Sequence, residues 1–403
     1  MERREAWSAR SRLVSILVVP GGRCRCALYV PSLSLGVTVE VSLEVTVVLE
    51  VEVLLEASRA GPARGGRATV TATGAAAVFF AGAAASLGAS WFVVSRIERV
   101  GSRLGASEAL LGLVSALAAD APEITSSVSA LFQHHEAVGA GVVIGSNVFN
   151  LAALLGLGTV AAGAIALHRR VIVLEGAIAV WVALTCAVTV EGLVAPLVGS
   201  GLVLVVLVPY VALATLDRSR WWLRPDPSPL RRWLSRAIVE EEAELRATVH
   251  PRRGGRAHDT LVAVVALVAV VGASVLMERS AVMLGVRLHV PEIVVGAVVL
   301  AAVTSVPNAV AAVYWAKSGR GAAMLSTGFN SNALNVAAGL LLPAVFLGTG
   351  RASAQETLVV AWYVGLTAAV LAIAYRRRGL SRAAGWVIIG AYVAFVSILI
   401  TVS

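Results

Sequence analysis

Apolar windows long enough to cross a lipid bilayer follow one another along most of the chain. A helix needs about 20 apolar residues to span ~30 Å of hydrocarbon, and about ten such windows occur from Thr73 onward. They lie roughly at residues 73–95, 107–131, 138–166, 171–190, 193–215, 260–281, 291–316, 322–348, 356–375 and 384–402. With 58% hydrophobic residues, 14% charged residues and a mean hydropathy of +0.83, the chain falls outside the soluble and disordered classes. The sequence predicts an all-α polytopic membrane protein.

A polar stretch divides the windows into two groups of five. This stretch, residues 217–259, combines prolines, tryptophans and an acidic run, which is the composition of a linker. The predicted organisation is therefore a first five-helix repeat at 71–216 and a second at 260–403, joined by this linker.

The first 70 residues differ from the rest of the chain. They begin with an arginine-rich segment, and residues 37–55 alternate in the two-residue period of a strand. A single strand cannot cross a membrane, because its backbone groups would lack hydrogen-bond partners in lipid. We expect residues 1–70 to be an N-terminal extension that is either disordered or read from an upstream start.

The distribution of positive charge predicts the orientation in the cell membrane. Most arginines and lysines between windows follow odd-numbered windows, and the linker alone holds ten arginines. Since positively charged loops stay on the cytoplasmic side, the linker is predicted to be cytoplasmic and the end of the chain external. Orientation in the bilayer also accounts for the net charge of +9, so no nucleic-acid partner is expected.

An internal repeat carries the polar residues of the apolar windows. The letters Ala-Pro-Glu at 121–123 and Gly-Ser-Asn-Val-Phe-Asn at 145–150 recur, 185 residues later, as Val-Pro-Asn at 306–308 and Asn-Ser-Asn-Ala-Leu-Asn at 330–335. Each half has an odd number of windows, so the second half enters the membrane from the opposite side. Inverted repeats with proline-broken helices are typical of secondary transporters. Proline also frees a backbone carbonyl that could contact a cation.

Few ionisable residues are predicted at membrane depth. Apart from span ends such as Glu278, they are Asp120, Glu123 and Glu175, and a carboxylate there is read as functional by default. Asp120 and Glu123 are three residues apart and share a helix face. Glu175 lies about one turn from Arg170, so an interfacial ion pair is the favoured interpretation.

Amide and hydroxyl oxygens complete the candidate cation site around Asp120 and Glu123. They belong to Asn150, Asn308, Asn335, Ser146, Thr304, Ser305 and Ser331. An all-oxygen set suits a hard cation such as Ca²⁺. Two neighbouring carboxylates also repel each other, which suits proton exchange equally well. The cation is a substrate here, and no cofactor is expected.

At these motifs the sequence resembles the calcium/cation antiporter superfamily, which contains sodium/calcium and calcium/proton exchangers. Its repeats each carry a motif like G-T-S-x-P-E, followed by G-S-N-x-x-N or G-S-N-x-x-D. The resemblance implies cation exchange by alternating access, with the second, third, seventh and eighth helices forming the site. The residues that match the family motifs are Glu123, Ser146, Asn150, Thr304, Ser305 and Ser331.

The departures from the family pattern concern charge. Asn308 stands where the family usually has its second glutamate, and Asn335 stands where many members have an aspartate. Asp120 adds an acid beside Glu123 that the family motif does not contain. Because two carboxylates carry too little charge for three sodium ions, we expect one divalent cation to exchange against protons or about two monovalent ions.

Other function classes remain open at this point. A Na⁺ or K⁺/H⁺ exchanger fits the reduced charge, and a transport-dead scaffold fits the altered motifs. An intramembrane enzyme has little support, because no catalytic metal set or nucleophile pair is predicted at depth. The cluster at 134–136, His-His-Glu, is predicted to be a solvated external turn rather than a metal site. Inorganic cations and the bilayer are the expected partners, and no oligomeric state follows from the sequence.

Overall fold

The computed structural model describes three short strands in the N-terminal part, residues 71–103, 116–215 and 257–317, isolated positions in the linker and at 319, and residues 321–403. The chain divides into two compact units, Met1–Gly65 and Gly66–Ser403. In the first unit the strands form an antiparallel sheet in the order β1, β2, β3. They are β1 Ser15–Val19, β2 Arg23–Ala27 and β3 Val39–Glu40. Of residues 37–55, whose sequence alternates with the period of a strand, only β3 lies among the described residues.

The second unit is helical. Its helices are α1 Ala72–Arg103, α2 Ala121–Phe132, α3 Glu136–Asn150, α4 Gly158–Ala162, α5 Arg169–Val190, α6 Pro196–Thr215, α7 Ala257–Leu288, α8 Glu292–Val294, α9 Ala301–Thr304, α10 Val306–Lys317, α11 Gly321–Leu334, α12 Leu342–Leu347, α13 Ala354–Arg377 and α14 Arg382–Thr401. Three π-helical segments connect some of them: Leu151–Leu157, Val295–Leu300 and Asn335–Leu341. Two short strands, β4 Ala164–Ala166 and β5 Gly379–Ser381, pair antiparallel.

Seven helical spans of the described part are long and apolar enough to cross a membrane, or eight if one bent pair counts as a span. The seven are Ala72–Arg96, Glu136–Ala162, Arg169–Val190, His258–Leu288, Met324–Leu347, Ala354–Arg377 and Arg382–Thr401. Each overlaps a predicted window. The predicted window at 193–215 corresponds to α6, whose apolar stretch is shorter. The first part of the window at 107–131, and most of the linker, lie outside the described residues.

The two predicted proline breaks are confirmed. In the first half, helical residues 116–119 end at a bend at Asp120, and α2 begins with Pro122 in its first turn. In the second half, the helical segments Glu292–Thr304 and Val306–Val313 meet at an angle of 45°. Since proline has no N–H, Pro122 leaves the carbonyl four residues earlier without a helical donor.

That carbonyl has a hydrogen-bond donor from a neighbouring helix. It belongs to Ala118, and the Ser90 hydroxyl of α1 donates a hydrogen bond to it at 3.0 Å. A neighbouring helix thus supplies a donor for this carbonyl in the first half, and its contact with a cation stays a prediction.

The third predicted window ends earlier than expected. The helix stops at Ala162 because Gly163 takes a φ of +87°, a backbone conformation that L side chains rarely adopt. The next residues form β4 instead of a last helical turn. Its partner β5 lies more than 200 positions away in the sequence, so local periodicity gave no signal for this pairing.

A close backbone contact joins the two halves beside the broken helices. A Cβ atom on Gly145 of α3 would overlap the backbone of Ala297 in the π-helical segment Val295–Leu300. A Cβ atom on Gly296 would likewise overlap the carbonyl oxygen of Val138. Glycine at both positions lets two helix backbones approach directly, as small residues do in membrane helix pairs.

We predict that Gly145→Ala destabilises the protein, because the added methyl group forces the backbone of Ala297 to move. The expected cost is about 1–3 kcal/mol, the range of other overpacked sites. Thermal unfolding of the detergent-purified protein measures it. Gly88→Ala is the matched control, since a Cβ atom on Gly88 of α1 meets no atom within 4 Å. Equal melting temperatures for both variants would contradict the direct backbone contact.

Candidate cation site

The helix break in the first half positions both predicted carboxylates. Asp120 lies at the bend, and Glu123 is in the first turn of α2. Both side chains are buried, with relative exposures of 1% and 0%. The N-terminal end of a helix carries a partial positive charge, which favours carboxylates at this place.

Asp120 is hydrogen-bonded by side chains of the second half. Its Oδ1 accepts from the Ser331 hydroxyl at 2.8 Å and from Asn308 Nδ2 at 3.1 Å. Asn308 Nδ2 also lies 3.3 Å from Asn150 Oδ1 and from Ser331 Oγ. These four residues, Asp120, Asn150, Asn308 and Ser331, form one buried group that we call the Asp120 cluster.

Glu123 is bonded in a corresponding way. Its Oε1 accepts from the Ser305 hydroxyl at 3.0 Å. With the repeat offset of 185 residues, Asp120 corresponds to Ser305 and Glu123 corresponds to Asn308. The contacts Asp120–Asn308 and Glu123–Ser305 are therefore repeat-related: the residue at each bend contacts the residue three positions beyond the other bend.

The motif asparagines form a second repeat-related contact. Asn147 Nδ2 donates to the Asn332 carbonyl at 3.1 Å, and Asn332 Nδ2 donates to the Asn147 carbonyl at 3.2 Å. Beside them, Asn150 Nδ2 donates to Asn332 Oδ1 at 3.1 Å, and Asn335 Nδ2 lies 3.5 Å from Asn147 Oδ1. Neither Asn147 nor Asn332 was predicted as a site residue, although their recurrence in the two motifs was a usable signal.

Some buried oxygens of this region have no hydrogen-bond partner. In the part of the chain that the structure describes, they include Asp120 Oδ2, Glu123 Oε2 and Asn335 Oδ1. A buried acceptor without a partner costs about 1–3 kcal/mol, and more if it is charged. A proton or a metal ion bound to these oxygens would remove that cost, so the chemistry of the unpartnered atoms fits a cation.

Two predicted ligands do not join this network. The Ser146 hydroxyl donates to the Val143 carbonyl at 3.0 Å, and the Thr304 hydroxyl donates to the Leu300 carbonyl at 3.0 Å. Both residues are buried, but their hydroxyl hydrogens are used within their own helices. This is the usual behaviour of serine and threonine in apolar helices.

Two other acidic residues are also buried inside the protein. Glu175, expected at the interface, is fully buried and accepts from the Tyr210 hydroxyl at 2.7 Å. Glu278, expected at a span end, is also fully buried. The apolar window ends at 281, but α7 continues to Leu288, which places Glu278 well inside the helix.

The predicted external turn contains one close contact. His135 Nδ1 lies 2.7 Å from Glu292 Oε1. No group of three or more His, Cys, Asp and Glu side chains with the arrangement of a metal site occurs within the described ranges. The candidate cation site itself contains two carboxylates, those of Asp120 and Glu123, and its other side-chain oxygens come from amides and hydroxyls.

We predict that Asn147 and Asn332 stabilise the protein as a pair. Asn147→Ala and Asn332→Ala should each destabilise it by about 1 kcal/mol, in the range of hydrogen bonds between membrane helices. The double variant should lose about the sum, because each substitution removes one hydrogen bond and leaves the other, which ends on a backbone carbonyl. Unfolding of the four proteins in detergent measures the losses, and a single variant as stable as the wild type would contradict the contact.

Comparisons with known proteins agree with this architecture. The profile of a family described as "Sodium/calcium exchanger protein" matches residues 74–216 and 258–401, well over half of the chain. A curated relative, the putative antiporter CaxA of Alkalimonas amylolytica, is 34% identical over 82 residues. That match covers 20% of this chain and 26% of the relative.

Three solved structures resemble the protein along most of its length. The H⁺/Ca²⁺ exchanger CAX has a TM-score of 0.59 at 13% identity, covering 89% of this chain and 91% of CAX. Native YfkE has a TM-score of 0.57 at 14% identity, covering 89% and 98%. The sodium-calcium exchanger NCX_Mj, soaked with Na⁺ and Sr²⁺, has a TM-score of 0.54 at 17% identity, covering 81% and 99%. At these identities the likeness establishes the fold.

Proposed function

The chain belongs to the sodium/calcium exchanger protein family, and on that premise we propose that it is a secondary active cation antiporter. It exchanges Ca²⁺ for H⁺ or Na⁺ across the cell membrane by alternating access. The observation that carries this proposal is the buried pair Asp120 and Glu123, each with one oxygen that lacks a partner among the described residues.

The proposal includes the membrane arrangement. Ten transmembrane helices form two inverted five-helix repeats, residues 71–216 and 260–403, and the linker at 217–259 is cytoplasmic. The 45° break in the second half and the repeat-related contacts at both bends support this arrangement. Broken helices at the interface of inverted repeats are where transporters of this kind bind their ions.

The proposed cation ligands fall into groups according to the hydrogen bonds that they make in the structure. Asp120 Oδ2, Glu123 Oε2 and Asn335 Oδ1 have no partner in the described ranges and bind the cation first. Ca²⁺ takes six to eight oxygens in typical sites, so further oxygens come from the Asp120 cluster and from Ser305. Asn308 now donates Nδ2 to Asp120; a half-turn of its amide presents Oδ1 to the ion instead. Ser146 and Thr304 contribute after release of their own-helix hydrogen bonds.

The same hydrogen bonds stabilise the site when no cation is bound. Ser331 and Asn308 donate to Asp120, and Ser305 donates to Glu123. These neutral donors lower the cost of a carboxylate in a medium of low dielectric constant. An arriving cation or proton therefore meets carboxylates that are already held in place, so no site has to be created at that moment.

Charge balance limits the stoichiometry. Two carboxylates neutralise one Ca²⁺, two protons or two sodium ions, whereas three sodium ions would leave an uncompensated charge in the membrane interior. We therefore propose an electroneutral exchange.

A monovalent cation/H⁺ exchanger is the second candidate. The amides at Asn308 and Asn335, in place of the acids that the family commonly has, reduce the negative charge available for a divalent ion. Competition between Ca²⁺, Na⁺ and K⁺ for transport separates the two candidates. A transport-dead scaffold, in contrast, predicts that loss of the Glu123 charge changes no flux.

We predict that purified protein in liposomes takes up radioactive Ca²⁺ when a pH or Na⁺ gradient is imposed. Glu123→Gln and Asp120→Asn should each lower the initial rate by about tenfold or more, because a buried cation loses a charged ligand. Glu191→Gln is the matched control, since this glutamate is exposed in the turn after α5. Exchange of Na⁺ or K⁺ without Ca²⁺ uptake would select the second candidate.

We also predict that the Ca²⁺ flux generates no net current. An imposed membrane potential should leave the wild-type uptake rate unchanged, because the charges carried in the two directions are equal. Asn308→Glu restores the acid of the family motif, and its third carboxylate should make the exchange sensitive to the potential. A wild-type flux driven by a Na⁺ gradient with measurable current would refute the two-carboxylate stoichiometry.

A further inference from the structure

Glu278 of α7 is a buried carboxylate that the cation site does not use. Its Oε2 accepts from the Ser129 hydroxyl and from Gln133 Nε2, both at 2.8 Å. Its Oε1 is buried and has no hydrogen-bond partner in the described part of the chain. Both donors belong to α2 or to its C-terminal cap, and α2 is the helix whose first turn carries Glu123.

Polar side chains lie along α2 between its first turn and the residues that donate to Glu278. Glu123, Ser126, Ser129 and Gln133 follow at spacings of three, three and four, so that each is a neighbour of the next on the helix surface. Ser126 is fully buried, and its hydroxyl has no partner among the described residues. Between Glu123 and the residues that donate to Glu278, the row thus contains one hydroxyl without a hydrogen-bond partner among the described residues.

The charged and titratable groups near Glu278 include Arg279, the next residue of α7, and His135 of the turn between α2 and α3. His135 is itself 2.7 Å from Glu292 of α8. None of them forms an ion pair with Glu278 in the part of the chain that is described. The side chain of Arg279 is exposed, so it lies on another side of α7 than the buried Glu278.

The chemistry favours a proton over a metal ion at this place. A single carboxylate cannot neutralise a divalent cation, and the groups nearest Oε2 present N–H and O–H donors. A charged carboxylate with an unpartnered oxygen is costly at membrane depth. A proton on Oε1 removes the charge and leaves both hydrogen bonds to Oε2 in place.

We propose that Glu278 is a second proton-binding residue, separate from the cation site. Its Oε1 takes a proton from hydronium in water on the side of the His135 turn, so that an O–H bond forms on Glu278 as one breaks in hydronium. The new bond breaks when the proton returns to water on that side. The role of this proton in exchange rests on the proposed function, whereas the binding of the proton to Glu278 does not.

Infrared difference spectroscopy tests the binding directly. Spectra of the purified protein between mildly acidic and mildly alkaline buffer should contain a protonated carboxyl band that is absent in Glu278→Gln and displaced in Glu278→Asp. Ser274→Ala is the matched control. It removes a buried 2.7 Å hydrogen bond to Ser86 from the same helix, one turn earlier, and leaves Glu278 intact. This control should keep the band.

Transport supplies the second readout. The rate of Ca²⁺ uptake should depend on the pH on the side of the His135 turn in the wild type and in Ser274→Ala. Glu278→Gln should flatten that dependence, and Glu278→Asp should shift it, effects that lost packing alone would not produce. A carboxyl band lost in Glu278→Gln, in a protein that moves no cation, supports the proton site and refutes the antiporter.

Two results overturn the proposal. One is a set of difference spectra without a band that depends on Glu278. The other is an active wild type whose pH profile is identical in Glu278→Gln, which refutes the inference and leaves the antiporter standing. If Glu278→Gln cannot be purified, the position of the band in Glu278→Asp decides in the same way.

Discussion

Asp120 and Glu123 lie inside an apolar helical unit, and the hydrogen bonds that reach them come from the other half of the chain. A carboxylate without partners is costly to bury in a membrane protein. The side chains of Ser331, Asn308 and Ser305 lower this cost by donating hydrogen bonds to the two carboxylates. The bend at Asp120 then has a physical reason. Proline at 122 interrupts the helix, the interruption brings the two acids to a helix start, and Ser90 of α1 satisfies the carbonyl that the interruption leaves.

The contacts of the site are symmetric while its charges are not. Asp120 and Glu123 belong to the first half, and the residues at the corresponding positions, Ser305 and Asn308, are neutral donors in the second half. The asparagine contact between Asn147 and Asn332 uses the same groups in both directions. A symmetric frame thus holds an asymmetric charge distribution, in which one half supplies the negative charge and the other supplies the hydrogen bonds to it.

How much of the structure could be predicted from the sequence depends on how far apart along the chain the interacting residues lie. The apolar windows, the bends at Pro122 and Pro307 and the burial of Asp120 and Glu123 depend on neighbours in the sequence or on the repeat, and all were predictable. The burial of Glu278 was not, because it depends on which side of α7 faces α2. The local hydrogen bonds of Ser146 and Thr304 were missed for a related reason: position in a motif does not determine where a hydroxyl points.

The helices next to α2 give the broken helix much of its support. Ser86 of α1 and Ser274 of α7 are hydrogen-bonded at 2.7 Å, so these two helices contact each other at membrane depth. Ahead of the bend, α1 holds the Ala118 carbonyl through Ser90; beyond it, α7 accepts hydrogen bonds from Ser129 and Gln133 through Glu278. Both contacts attach to the broken helix that carries Asp120 and Glu123, so α1 and α7 hold it on either side of the bend.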